Sequence, residues 1–83
     1  MSSSGPNYAA LRLELSRRRA ELGLTYEELA EASGLSRTGV INLELGNRNG
    51  SLAAWFAVAT ALGLPFSDLM ASLETPLPKS APK

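Results

Sequence analysis

Thr25–Gly46 reads TYEELAEASGLSRTGVINLELG. Thr25-x-x-Glu28 has the spacing of a capping box, in which each side chain bonds the other residue's backbone N–H, so a helix is predicted from Tyr26. Leu29 and Ala30 are its inward residues, and Gly34 stops it after Ser33. Two residues later Ser36 is a second N-cap, which predicts another short helix over Arg37 to Leu45 with Val40 and Leu43 inward and Gly46 at its end. The turn between the two is only three or four residues long. Ala30 and Gly34 are small enough to let the helices cross closely.

Upstream, a first helix is predicted from Asn7 or Tyr8 to Leu22, with Leu11, Leu15 and Leu22 on one stripe and Gly23 as its left-handed cap. Downstream, the loop from Gly46 to Gly50 leads to Ser51, the N-cap of a fourth helix that carries Leu52, Trp55, Val58, Ala59 and Leu62 and ends at Gly63. Trp55 and Phe56 are adjacent, so one stripe cannot bury both. Trp55 is assigned to the core and Phe56 to a partner contact. Phe66, Leu69, Met70 and Leu73 at i, i+3, i+4 and i+7 predict a short fifth helix opened near Pro65 or Ser67. Met1 to Pro6 and the tail Thr75 to Lys83, which has three prolines in nine residues, are expected to be flexible ends flanking one domain over residues 7–74. No stretch alternates with the period of two that a strand needs, so the fold class is all-α, five helices.

The chain of 83 residues, 45% of them hydrophobic, suffices for one small core. It has no Cys and no His. The commonest general base, the commonest metal ligand and the most reactive nucleophile are therefore missing, which argues against an enzyme, a metal site or a redox centre. Glu27, Glu28 and Glu31 are read as capping and solubilising residues, so no catalytic residue is assigned. No cofactor or small-molecule ligand is expected. No apolar run approaches the roughly 18 to 20 residues of a membrane span, and the start MSSSGPN lacks the regions of a signal peptide, so a cytoplasmic protein with no membrane partner is expected. Eight basic residues balance eight acidic ones. Any cationic face must therefore be local.

Two short helices joined by a tight glycine-containing turn form the helix-turn-helix unit, whose second helix enters a DNA major groove. Arg19 four before Gly23, the run Thr25-Tyr-Glu-Glu-Leu29-Ala30, Gly34-Leu35-Ser36, Glu44 followed by Gly46, and Leu62-Gly63-Leu64 all fall in the same register. On these residues the stretch from about Leu11 to Met70 resembles the phage repressor and Cro-like (Xre) helix-turn-helix family, which implies a lambda-repressor-like bundle. The Arg48-Asn49 pair followed by a small residue also resembles the controller proteins of restriction-modification systems.

The resemblance implies base-reading positions at Arg37, Thr38, Ile41 and Asn42. Burial of Val40 and Leu43 turns these four outward as well, although Ile41 fits the edge of the core equally. Arg37 matches guanine O6 and N7, Asn42 matches adenine N6 and N7, and Ile41 or the Thr38 methyl suits a thymine methyl. Tyr26, Ser36, Asn47, Arg48 and Asn49 are implied phosphate contacts, with Arg17 and Arg18 adding charge nearby. The loop asparagines are also ordinary turn residues. Arg19 and Glu44 are implied to form an ion pair that orients the recognition helix. Gly39, Gly50 and Leu45 depart from the family pattern, Gly50 standing where many relatives have Pro. The expected partners are double-stranded DNA and a second copy of the chain, as a homodimer on a roughly palindromic operator. Phe56, Phe66, Leu69, Met70 and Leu73 are the candidates for its interface or, alternatively, for the core. A helical adaptor or antitoxin that uses the fold to bind protein is the other reading, favoured by the neutral charge.

Overall fold

The computed structural model describes residues 5–76. Most of the two expected flexible ends, residues 1–4 and 77–83, lies outside them. Five α-helices follow one another: α1 Tyr8–Leu22, α2 Tyr26–Ser33, α3 Arg37–Leu45, α4 Leu52–Leu62 and α5 Phe66–Ala71, with a 3-10 turn at Ser72–Glu74. Each of α1 to α4 is opened by a side chain that accepts a backbone N–H: Asn7 from Ala10, Thr25 from Glu28, Ser36 from Gly39 and Ser51 from Ala54. The reciprocal half of the Thr25 capping box is present, with the Thr25 N–H donating to Glu28 Oε1 at 2.8 Å. α5 opens on Pro65, which supplies no side-chain cap.

Leu11 and Leu15 of α1, Leu29 and Ala30 of α2, Val40 and Leu43 of α3, Trp55, Val58, Ala59 and Leu62 of α4 and Leu69 of α5 form one buried cluster. α2 packs against both α3 and α4, while α1 crosses α3 and meets the 3-10 turn. The turn of α2 into α3 is Gly34-Leu35-Ser36, and Gly34 takes it at φ +79°, a left-handed conformation that an L side chain would strain. Leu35 packs against the core from inside the turn.

Two apolar residues depart from the expected pattern. Leu22 is 46% exposed because α1 has run past the edge of the core by its last turn, and Leu24, beyond the Gly23 cap, packs there in its place. Leu52, in the first turn of α4, is also exposed. Leu69, a candidate for either a partner surface or the core, is wholly buried within the single chain, the core alternative.

Asn7 has a role that its position before the first helix did not advertise. It is the buried polar residue of the core's edge. Beyond capping α1, its backbone N–H donates to the Leu73 carbonyl at 2.9 Å and its Nδ2 donates to the Thr75 carbonyl at 3.1 Å. The entry to α1 is thereby clasped to the end of the helical chain, and the tail expected to be free from Thr75 begins on a hydrogen-bonded residue.

Candidate nucleic-acid interface

The recognition helix expected from the sequence, α3, is held from below by Val40 and Leu43, both buried. Helical geometry then turns Thr38, Ile41, Asn42 and Leu45 to the opposite face and sets Arg37 on the flank toward α2. Thr38, Arg37 and Leu45 are exposed, whereas Ile41 and Asn42 are half-buried. Leu45 continues the Thr38 and Ile41 row at helical spacing, so the outer face is more apolar at its C-terminal end than at its start.

Arg37 is not free in the structure. Its Nε donates to Glu27 Oε2 at 2.8 Å, joining the first turn of α2 to the first turn of α3 across solvent. The terminal nitrogens of the guanidinium make no hydrogen bond among the described residues, which leaves a donor pair open for an outside acceptor. The Glu27 carboxyl is held below its ordinary range, first by its own backbone N–H and then by Arg37. Nothing in the spacing of Glu27 and Arg37 indicates this pair, because the residues lie ten apart on different helices and meet only when the turn has formed.

Arg19 and Glu44 make a two-pronged ion pair: Nε donates to Oε1 at 2.7 Å and Nη2 to Oε2 at 2.9 Å. The remaining side of the guanidinium donates through Nη1 to the Leu24 carbonyl at 2.9 Å. Arg19 also stacks on Tyr26, with Cζ 4.3 Å from the ring centroid, and the Tyr26 hydroxyl donates to Glu44 Oε2 at 3.4 Å. With side chains only 20% and 9% exposed, the pair ties α1 to α3, and Tyr26 brings α2 into the same group. The Arg19 hydrogen bond lowers the Glu44 pKa against the opposing effect of burial, and raises that of Arg19. Tyr26 was expected on phosphate through the family resemblance. The structure directs its hydroxyl to Glu44.

The loop after α3 is held in one shape. The Asn42 carbonyl accepts the N–H of Gly46 at 3.0 Å, that of Asn47 at 3.0 Å and that of Arg48 at 3.4 Å. Asn47 Nδ2 donates to Asn42 Oδ1 at 3.1 Å, so the Asn42 side chain is engaged with the loop as well as facing outward. At the far end the Trp55 indole N–H donates to the Asn49 carbonyl at 2.7 Å. Gly50 follows at φ +81°, and a Cβ there would collide with Leu43 and lie 2.9 Å from Trp55 Nε1. Proline fixes φ near −65°, so the residue common at this position in the family cannot take this backbone. Asn47, Arg48 and Asn49 all project from the loop as exposed residues.

The other expected contacts are placed as follows. Ser36 is exposed, and its Oγ is engaged in capping α3. Arg17 pairs with Glu14 at 3.4 Å on the exposed side of α1. Arg18 pairs with Glu21 at 3.3 Å and donates to the Leu62 carbonyl, closing the end of α4 rather than joining the α3 face. Phe56 is 57% exposed and meets Phe66 edge-on, with centroids 5.4 Å apart. Phe66, Met70 and Leu73 are half-buried against the core. Among the described residues, no three Asp or Glu side chains come together as metal ligands, and no single helix is long and apolar enough to cross a membrane.

Comparison with known proteins agrees with this geometry. A helix-turn-helix family model matches residues 15–69. An uncharacterised HTH-type transcriptional regulator of Methanothermobacter thermautotrophicus is 45% identical over 53 residues, covering 64% of this chain and 77% of that protein. One of Sinorhizobium fredii is 39% identical over 73 residues, covering 87% and 86%. Among solved structures, the restriction-modification controller protein C.AhdI of Aeromonas hydrophila superposes with a TM-score of 0.70 at 37% identity, covering 75% of this chain and 94% of that one. The clp gene regulator ClgR of C. glutamicum gives 0.69 at 35% identity, over 80% and 86%. With the motif, its supporting ion pair and these relatives in agreement, the chain belongs to the Xre-type helix-turn-helix family of DNA-binding transcriptional regulators.

Proposed function

We propose that this regulator binds a roughly palindromic operator as a homodimer, and that it controls a restriction-modification locus. The observation that supports the reading most directly is the outer face of α3, where Arg37 and Thr38 stand exposed above a buried Val40–Leu43 base. One α3 reaches only a handful of base pairs, so useful selectivity calls for two, set about 34 Å apart on successive turns of one duplex face. The Phe56–Phe66 edge of α4 and α5 is the surface on which two copies would meet. The likeness to C.AhdI at 37% identity favours the controller form over a phage-type repressor. No catalytic step is assigned to any residue.

In this reading Arg37 contacts a guanine with its terminal nitrogens while Nε stays on Glu27. Loop residues Asn47, Arg48 and Asn49 follow the phosphates, which position the protein without reading sequence. A protein-binding adaptor is the competing reading, since the net charge is zero and four of the six arginines are already paired with carboxylates.

An electrophoretic mobility shift on the DNA upstream of the gene, at two salt concentrations and beside a scrambled duplex, separates the two. Selective binding that falls steeply with salt is expected. Arg37→Ala should remove about 1 to 3 kcal/mol of discrimination at one base pair per half-site. Absence of any shift would leave the adaptor reading, and equal losses on both duplexes from Arg37→Ala would remove Arg37 from the base-reading set.

A further inference from the structure

All six arginines of the chain fall within the described residues, and they are not equivalent. Arg17, Arg18, Arg19 and Arg37 each lie within ion-pair distance of a carboxylate. Arg12 and Arg48 do not, among the described residues. Both belong to the C-terminal end of α3, Arg12 by contact and Arg48 by its place in the chain. Arg12 lies on the face of α1 that carries Arg19, seven residues earlier, and its guanidinium rests against Gly46, the residue that ends α3. A Cβ built on Gly46 would lie 2.7 Å from Arg12 Nε and 2.9 Å from Cζ. Arg48 is two residues further along the same loop.

Arg12 is half-buried, yet its side chain takes part in none of the hydrogen bonds or ion pairs formed among the described residues. It donates to no carbonyl of α3 among the described residues, and the Asn42 carbonyl at that end receives three backbone N–H groups from the loop instead. The absence of a side chain at Gly46 makes room for the guanidinium, whose five donors are unengaged among the described residues. The nearest negative side chain of α3, Glu44, is already satisfied by Arg19. A half-buried cation at the end of a recognition helix, with its donors free among the described residues, is suited to an external oxyanion. A planar guanidinium also matches phosphate oxygens in a fork.

We propose that Arg12 is a DNA-backbone contact, forming with Arg48 a two-armed clamp on the phosphates that flank the C-terminal end of α3. The inference rests on the reading of the Gly46–Gly50 loop as lying along the backbone. It assigns to α1 a binding role in addition to its structural one. It also supplies part of the local positive charge that a chain of zero net charge requires for affinity.

The test measures operator and scrambled-duplex affinity across a salt series for the full chain and for Arg12→Gln, Arg12→Lys and Arg48→Gln, with a thermal melt of each. Arg12→Gln should weaken both duplexes by the same factor, lower the slope of log affinity against log salt by about 0.9 for each subunit, and leave the melting temperature unchanged. Arg12→Lys should retain the slope, and Arg48→Gln should lower it by a similar amount. An unchanged slope for Arg12→Gln in a protein whose wild type binds the operator overturns the clamp alone. So does a loss of affinity accompanied by a lowered melting temperature at an unchanged slope, which would mark Arg12 as structural. If the wild type binds no duplex, the clamp and the operator-binding reading fall together.

Discussion

Glu44 joins α3 to both α1 and α2. It receives both prongs of Arg19 and the Tyr26 hydroxyl while largely removed from solvent. Removing one partner of a buried pair leaves the other charge unmatched, a loss of about 3 to 5 kcal/mol when burial is complete. Since Arg19 is 20% exposed, Glu44→Gln should lower stability toward the smaller end, about 3 kcal/mol, in urea denaturation. The pair also sets a pH dependence. The folded-state pKa of Glu44 lies below that of the unfolded chain, about 4.3 for an unpaired Glu, so the unfolded state binds the proton first. Its stabilisation is complete above that value and disappears as pH falls through the lower folded-state pKa. The wild type should therefore lose more stability on acidification below about pH 4.3 than Glu44→Gln does, and parallel curves would show that the pair contributes nothing. Gly50 is the second sensitive residue. Gly50→Ala must strain φ +81° and press a methyl into Leu43 and Trp55, with an expected loss of at least about 2 kcal/mol. Gly50→Pro should lose more, despite being the family's common choice, and a melting temperature equal to wild type would refute the loop geometry.

At the scale of the element, helix bounds were legible because this chain marks them with side chains. Thr25, Ser36 and Ser51 each accept the N–H three residues on, and Gly23, Gly34, Gly46 and Gly63 follow the helices they end. These are local interactions, encoded within four residues. The Asn7 clasp is the opposite case. Its cap on α1 is local, but its bond to Thr75 spans 68 residues, and no pattern near Asn7 announces it. Asn7→Ala loses a cap worth about 1 kcal/mol and a buried hydrogen bond worth about 1 kcal/mol more. A fall of about 8 to 16 °C in melting temperature is expected for a domain of this size. Asn7→Asp keeps the cap acceptor but cannot donate to the Thr75 carbonyl, so its melting temperature should stay below wild type. Full recovery by Asp would show that the long-range bond is of no consequence.

For the whole molecule, the question is how two copies would meet. Phe56 stands 57% exposed beside Phe66, whereas Leu69 is closed inside the single chain. The dimer reading therefore rests first on the exposed Phe56, with Phe66, Met70 and Leu73 only half-buried against the core. Phe56→Glu loses one edge-on aromatic contact, about 1 kcal/mol of monomer stability, but sets two like charges facing each other across a two-fold interface. On the dimer reading, sedimentation should show a dimer for the wild type and a monomer for Phe56→Glu, with operator affinity reduced and the melt little altered. A Phe56→Glu protein that remains dimeric would place the interface elsewhere.

Capping and 3.6-residue periodicity are short-range and written in adjacent residues, so the five helices, the caps at Thr25, Ser36 and Ser51, the tight turn between the second and third helices and the family could be read from the chain alone. Which polar groups are engaged emerged only once the helices had packed: Arg37 with Glu27, Tyr26 with the Arg19–Glu44 pair, Arg18 with the end of α4, and Arg12 against Gly46. A charged side chain is long, and its partner is whichever opposite charge or carbonyl the packed helices bring within a few ångströms, so that pairing exists only after the core has closed.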